Sequence, residues 1–169
     1  MQLSIDVLSH YELPASNILV VENMQSGLGL PRLNDTIAVF GGGKNIAWMD
    51  ADWLKTKQVA YWGDIDSWGL SILSDVRAKL PTVTPLMMNL ETIKNFEERM
   101  VVEPEPVDSC PIELNDSEKE IFFGLKSGRF QSSRLEQERL SADYILLKLQ
   151  QWLLITRPSN RSIPGIDIG

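Results

Sequence analysis

Three carboxylates, Glu22, Asp64 and Asp66, are the residues whose type and placement could do chemistry. Glu22 closes the apolar run Asn17-Ile-Leu-Val-Val, and the Asp-x-Asp pair follows a second such run, Gln58-Val-Ala-Tyr-Trp62, through Gly63. Short runs rich in β-branched residues read as strands buried on both faces. A charge at the end of such a strand needs a partner. Carboxylates gathered at one place repel one another and hold protons unless a cation neutralises them. Mg²⁺ or Mn²⁺ does so, because such a hard cation takes oxygen ligands and keeps positions open for a substrate phosphate. The plainer account of Asp64 and Asp66 is that Asp favours strand ends and helix N-termini, where it caps backbone donors. Glu22, at the end of a separate strand, is what tips the reading toward a shared ion. The geometry expected is therefore convergence of all three side chains at one rim of a sheet.

The elements that must position them alternate. A strand over residues 17–22 is followed by one at Thr36-Ile-Ala-Val-Phe40, a turn at Gly41-Gly42-Gly43-Lys44, and a helical stripe through Ile46, Met49 and Trp53. The strand at 58–62 runs into the Asp-x-Asp and then a helix carrying Leu70, Leu73, Arg77 and Leu80, stopped by Pro81. Gly69 would let that helix come close to the sheet. Thr84-Pro85-Leu86-Met87-Met88 is a shorter strand at an edge or strand start, because Pro85 lacks a backbone donor. Asn89 caps a helix to about Met100, and residues 101–111, with Pro104, Pro106 and Pro111, form a connector. Two helices follow, one from about Ser117 to Ser127 before Gly128, the other from Ser133, whose pairing with Glu136 makes a capping box, through Leu140 and Tyr144 to Trp152. This is an α/β fold, a Rossmann-like, mainly parallel sheet of about four strands flanked by helices, with a C-terminal helical extension. Ligands in such sheets bind beyond the carboxyl ends of the strands. Residues 1–16 read as a lead-in segment or the tail of an upstream region, 17–153 as the domain, and 154–169 as a loose tail.

Composition narrows the chemistry. The 169 residues suit one globular domain, with 43% hydrophobic residues for a core. There is no run of about eighteen apolar residues and no secretory pattern at the N-terminus, so a cytoplasmic protein with no membrane association is expected. Cys110 is the only cysteine and His10 the only histidine, which removes an intrachain disulfide and a cysteine-based zinc site and leaves carboxylates as metal ligands. A formal net charge of −7 argues against a large nucleic-acid footprint of the chain's own. Gly41-Gly42-Gly43-Lys44 could cradle a phosphate through Lys44, although it lacks the Walker A spacing and a plain tight turn is the simpler reading. Glu136 reads as a cap. Arg134 and Arg139 could touch phosphate or simply be solvated helix charges. The five tryptophans are read as core or interface residues, except Trp68, which stands beside the Asp-x-Asp and could stack on a base.

Glu22-Asn23 closing one strand, followed by Gly63-Asp64-Ile65-Asp66-Ser67-Trp68-Gly69, resembles the Toprim signature of topoisomerases, primases and repair nucleases. With Leu135-Glu136-Gln137-Glu138 added, the three blocks resemble the C-terminal Toprim domain of the Wadjet plasmid-defence subunit JetD, itself similar to the A subunit of type IIB topoisomerases, over roughly residues 17–153. The resemblance implies a metal-dependent endonuclease that cleaves plasmid DNA with a condensin-like SMC complex, and a homodimer. It also implies Mg²⁺ or Mn²⁺ on Asp64 and Asp66, Glu22 as ligand or general acid/base, and Glu138 as a further ligand. The chain departs from the family pattern at Trp68, where His is usual, and at Met88, where an acidic residue is usual. It also shows no N-terminal DNA-binding region, as a fragment or minimal relative would. Two other functions remain open on the sequence: a strand-passage subunit using a tyrosine nucleophile, for which neither Tyr61 nor Tyr144 is well placed, and a noncatalytic dimerisation or interaction module.

Overall fold

In the computed structural model, residues 3–41 and 45–155 are described. Four parallel strands, β1 (Asn17–Val21), β2 (Thr36–Phe40), β3 (Gln58–Trp62) and β4 (Thr84–Pro85), form one sheet in the order β2-β1-β3-β4. β1 pairs without offset with both neighbours, Val21 standing level with Phe40 on one side and Trp62 on the other. Ile18, Leu19, Val20 and Val21 are fully enclosed, as a β-branched run covered on both faces requires. β4 is only two residues long. Pro85 cannot donate to the ladder, and Met87 two residues on takes a positive φ of 55° that turns the chain out of the strand.

Helices flank the sheet: α1 (Ile5–His10), α2 (Met24–Leu28), α3 (Ser67–Lys79), α4 (Leu90–Phe96), α5 (Asp116–Ser127) and α6 (Ala142–Leu153). Asn89 caps α4 as its sequence suggests, its side-chain oxygen accepting from the Thr92 amide. α5 begins in a full capping box between Asn115 and Glu118 and ends on Gly128, whose φ of 72° is the left-handed cap that glycine adopts without strain. The segment ahead of β1 is not a bare lead-in. Leu8, Leu13 and Ala15 join the hydrophobic core, and the Leu8 carbonyl accepts from the Trp53 indole at 2.8 Å.

Two expected helices form differently. The stripe through Ile46, Met49 and Trp53 becomes two 3₁₀ turns, Ala47–Asp50 and Asp52–Thr56, separated by Ala51 at ψ 133°. The break lets Trp48 and Trp53 stack with ring centroids 6.2 Å apart, although five residues' separation would put them on different faces of one α-helix. The long helix expected from Ser133 is instead an extended strap over 133–140, containing the short 3₁₀ turn Gln137–Arg139, and then α6, capped by Ser141. The Ser133–Glu136 capping box does not form. Arg134 and Leu135 exchange backbone hydrogen bonds with Val101 and Ile65, and Ser133 Oγ accepts from the Glu103 amide at 2.8 Å, so tertiary pairing outweighs local helix signals.

Candidate active site

The β1 connection leads to one side of the sheet and the β3 connection to the other, so the carboxyl ends of β1 and β3 flank the topological switch point. Glu22 and Asp64 emerge there. The Glu22 amide extends the ladder by donating to the Trp62 carbonyl at 3.0 Å, and its Oε2 accepts from the Asp64 amide at 3.0 Å and from the Tyr61 hydroxyl at 3.4 Å. Gly63 makes room for this: a methyl group there would lie 2.6 Å from Glu22 Oε2. Asp66 caps α3, its Oδ1 accepting from the Gly69 amide at 2.6 Å. Gly69 is fixed by close approach, since a Cβ at that position would fall 2.0 Å from the Asp64 carbonyl oxygen.

The strap completes the arrangement. Arg134 Nη2 donates to Asp64 Oδ2 at 2.7 Å, and its Nε lies 3.2 Å from Asp66 Oδ2 without an aligned hydrogen bond. One guanidinium thus faces both members of the Asp-x-Asp pair. Gln137, almost wholly buried, ties the site together three ways: its amide donates to Asp64 Oδ1 at 2.8 Å, its Nε2 to the Trp62 carbonyl at 2.9 Å, and its Oε1 accepts from the Asn23 amide at 3.1 Å. It therefore clamps the ends of β1 and β3 and orients Asp64 in one stroke.

Charge in this cluster is under-compensated. Burial pushes the Glu22 carboxyl above its ordinary range, with the nearby Asp64 charge adding to the shift. Asp66 rises to about 7, first through burial, against the lowering effect of the Gly69 hydrogen bond, and then through repulsion by Glu103, Asp64 and Glu22. The Tyr61 phenol is held well above its ordinary value by burial and by Glu22, so it stays a neutral donor. A cleft of about 340 Å³ opens beside these groups, lined by Glu22, Asp66, Glu103, Arg134 and the half-exposed Trp68. Trp68 Nε1 donates to the Glu105 carbonyl at 2.7 Å, which fixes the indole at the cleft wall.

The other sequence-predicted residues fall differently. Glu138 lies near the cluster and is hydrogen-bonded to the Asn23 side chain, next to Glu22. Arg139 is not at the carboxylates; its Nε pairs with Glu136 Oε2 at 3.0 Å. Lys44 lies outside the described residues. Gln137, Glu103 and Tyr61 carry weight that sequence reasoning did not assign. Glu103 sits in the proline-rich connector and accepts from the Ser67 hydroxyl at 2.7 Å and its amide at 3.2 Å, filling the N-terminus of α3 beside Asp66. A glutamate in a connector gives no sign of burial, and Gln137 gave no charge to notice.

The side chains that could hold a divalent ion are the expected three, Glu22, Asp64 and Asp66. The donor set suits it, being all carboxylate oxygen with more negative charge than one guanidinium offsets. As folded here, no three such side chains among the described residues are grouped to hold an ion, and Arg134 occupies the approach between Asp64 and Asp66. Among the described residues no helix is long and apolar enough to cross a membrane.

Residues 1–149 match the family model of the Wadjet protein JetD, C-terminal. No curated protein matches the chain. A match over most of the 169 residues, on a fold that brings the motif carboxylates to one switch point, places the assignment beyond local motif likeness. The chain belongs to the JetD C-terminal family.

Proposed function

We propose that this chain is a Toprim-type DNA endonuclease domain, dependent on Mg²⁺ or Mn²⁺, that hydrolyses phosphodiester bonds of plasmid DNA within a Wadjet defence system. One observation supports the reading: Glu22, just past one strand, and Asp64 and Asp66, just past another, all stand at the switch point of a parallel sheet, in a neighbourhood short of positive charge. When bound, the divalent ion supplies neutralisation of the scissile phosphate and activation of the attacking water. Asp64 and Asp66 hold it. Glu22 serves as ligand or as general acid/base, and burial, which raises its pKa above the ordinary carboxylate range, moves it in the direction that favours proton transfer. Tyr61 and the Asp64 amide orient the Glu22 carboxylate. Tyr61 is itself fully buried, which disfavours a tyrosine-linked strand passage at this position.

The net charge of −7 suits a subunit that borrows its grip on DNA from a condensin-like SMC assembly or from a second copy of itself. Supercoiled plasmid incubated with Mg²⁺, with the protein alone and with such partner subunits, tests the reading. Nicked or linear product is expected, with Asp64→Ala and Glu22→Ala each lowering the rate on the order of a hundredfold or more. Cleavage surviving both substitutions would discard the assignment.

A further inference from the structure

We propose that Arg134 is an internal counter-cation which a divalent ion must displace from Asp64 and Asp66, so that metal loading and release of this guanidinium are one coupled event. The inference rests on the cation site proposed above and concerns how that site is guarded. Each aspartate already spends one oxygen on the backbone: Asp64 Oδ1 accepts from the Gln137 amide and Asp66 Oδ1 from the Gly69 amide. The oxygens without a backbone donor are the Oδ2 atoms, and Arg134 faces both, at 2.7 Å through Nη2 and 3.2 Å through Nε, with its Nη1 3.7 Å from Glu136 Oε1. A guanidinium seated on those oxygens competes with a divalent ion for their lone pairs, and the two cations repel each other across a poorly hydrated site.

The side chain is built to leave while its backbone stays. The Arg134 amide and carbonyl are bonded to Val101 at 2.9 and 2.8 Å, and Leu135 is bonded to Ile65 at 2.9 Å in both directions, so the strap is pinned on either side. Its hold on Asp66 is incomplete, with Nε buried and unbonded despite its proximity. Arg134 also lines the cleft beside Trp68, so a displaced guanidinium remains tethered at the rim where a substrate phosphate would meet it. Metal binding and phosphate contact would then favour the same arginine position, and by linkage each strengthens the other.

Calorimetric titration of the full chain with MgCl₂ and MnCl₂, after chelator treatment, tests this without any turnover. Arg134→Ala and Arg134→Gln should bind the ion on the order of tenfold more tightly than wild type. Their metal-free melting temperature should fall and be restored by saturating ion. Equal or weaker binding by a variant with native circular dichroism overturns the inference while leaving the cation site standing. No binding by wild type or by either variant removes the site and the inference together. Should neither variant fold, the Arg134 Nε–H resonance of the wild-type protein decides: it should shift as Mg²⁺ saturates, and an unmoved resonance in a protein that binds the ion contradicts displacement.

Discussion

Among the described residues, Arg77 and Arg134 both face buried carboxylates, and they are set up in opposite ways. Arg77 on α3 meets Glu118 on α5 one to one: Nη1 and Nη2 reach Oε2 and Oε1 at 2.6 and 2.7 Å, and the Asn115 amide fills a further acceptor position on Oε2 at 2.9 Å. The fork matches the carboxylate, and the pair bolts two helices together. Arg134 instead serves two aspartates, with Glu136 at 3.7 Å and Glu22 close behind, makes one sound hydrogen bond, and leaves Nε unbonded. A structural ion pair closes its hydrogen-bonding account; a cluster with surplus negative charge and a half-committed cation is organised to receive something else.

Removing the cation from each pair should sharpen that contrast. Arg77→Ala strands Glu118 in the interior and should cost about 3 kcal/mol in urea unfolding, near the low end for a broken buried pair because Arg77 itself touches solvent. Glu118→Ala should cost less, since Arg77 can reach water. Gln137→Ala removes both side-chain tethers at the strand ends and should cost about 2 kcal/mol, with loss of cleavage beyond what that destabilisation explains. Arg134→Ala in the presence of chelator should cost only about 1 kcal/mol, because the guanidinium is partly exposed and relieved of fewer bonds. An Arg134 variant as damaged as the Arg77 one would make both pairs structural.

The same cluster should also show in the pH dependence of stability. Asp66 has a folded pKa raised from 3.8 to about 7, so the folded state holds its proton more tightly than the unfolded chain does. Its contribution to stability is present in full below about pH 4 and is lost as the pH rises through about 7. Asp66→Asn in metal-free protein should flatten the stability profile across that window. A profile unchanged by the substitution would mean that Asp66 is already ionised and compensated.

Much of the frame was legible in the sequence, for physical reasons that differ by element. β1 and β3 announced themselves because a strand buried on both faces must be continuously apolar, whereas β2, half-buried at the sheet edge, was legible from its bounded β-branched run. The Asp-x-Asp with Gly69 was legible because close helix-to-strand packing excludes a side chain at that position. The strap was not. Ser133 and Glu136 spell a capping box locally, yet the backbone of Val101 and Ile65, outside any named strand, offered better partners than a helix could, and only the fold reveals them. With the strap misassigned, Arg134 and Arg139 read as equivalent flanking charges; both reach Glu136, at 3.7 and 3.0 Å, but only Arg134 also faces the Asp-x-Asp pair. Gln137 escaped notice because a neutral amide between two glutamates looks like solvent-facing decoration, although its burial is nearly complete.

The central claim is that Glu22, Asp64 and Asp66 share one divalent ion at the switch point. Anomalous scattering from crystals soaked in MnCl₂ addresses it most directly. A single strong peak bridging Glu22 and the Asp64–Asp66 pair, with the Arg134 side chain turned away into the cleft, is the predicted result. Saturating manganese that leaves this position without a peak, with Arg134 still seated on Asp64, would contradict the account.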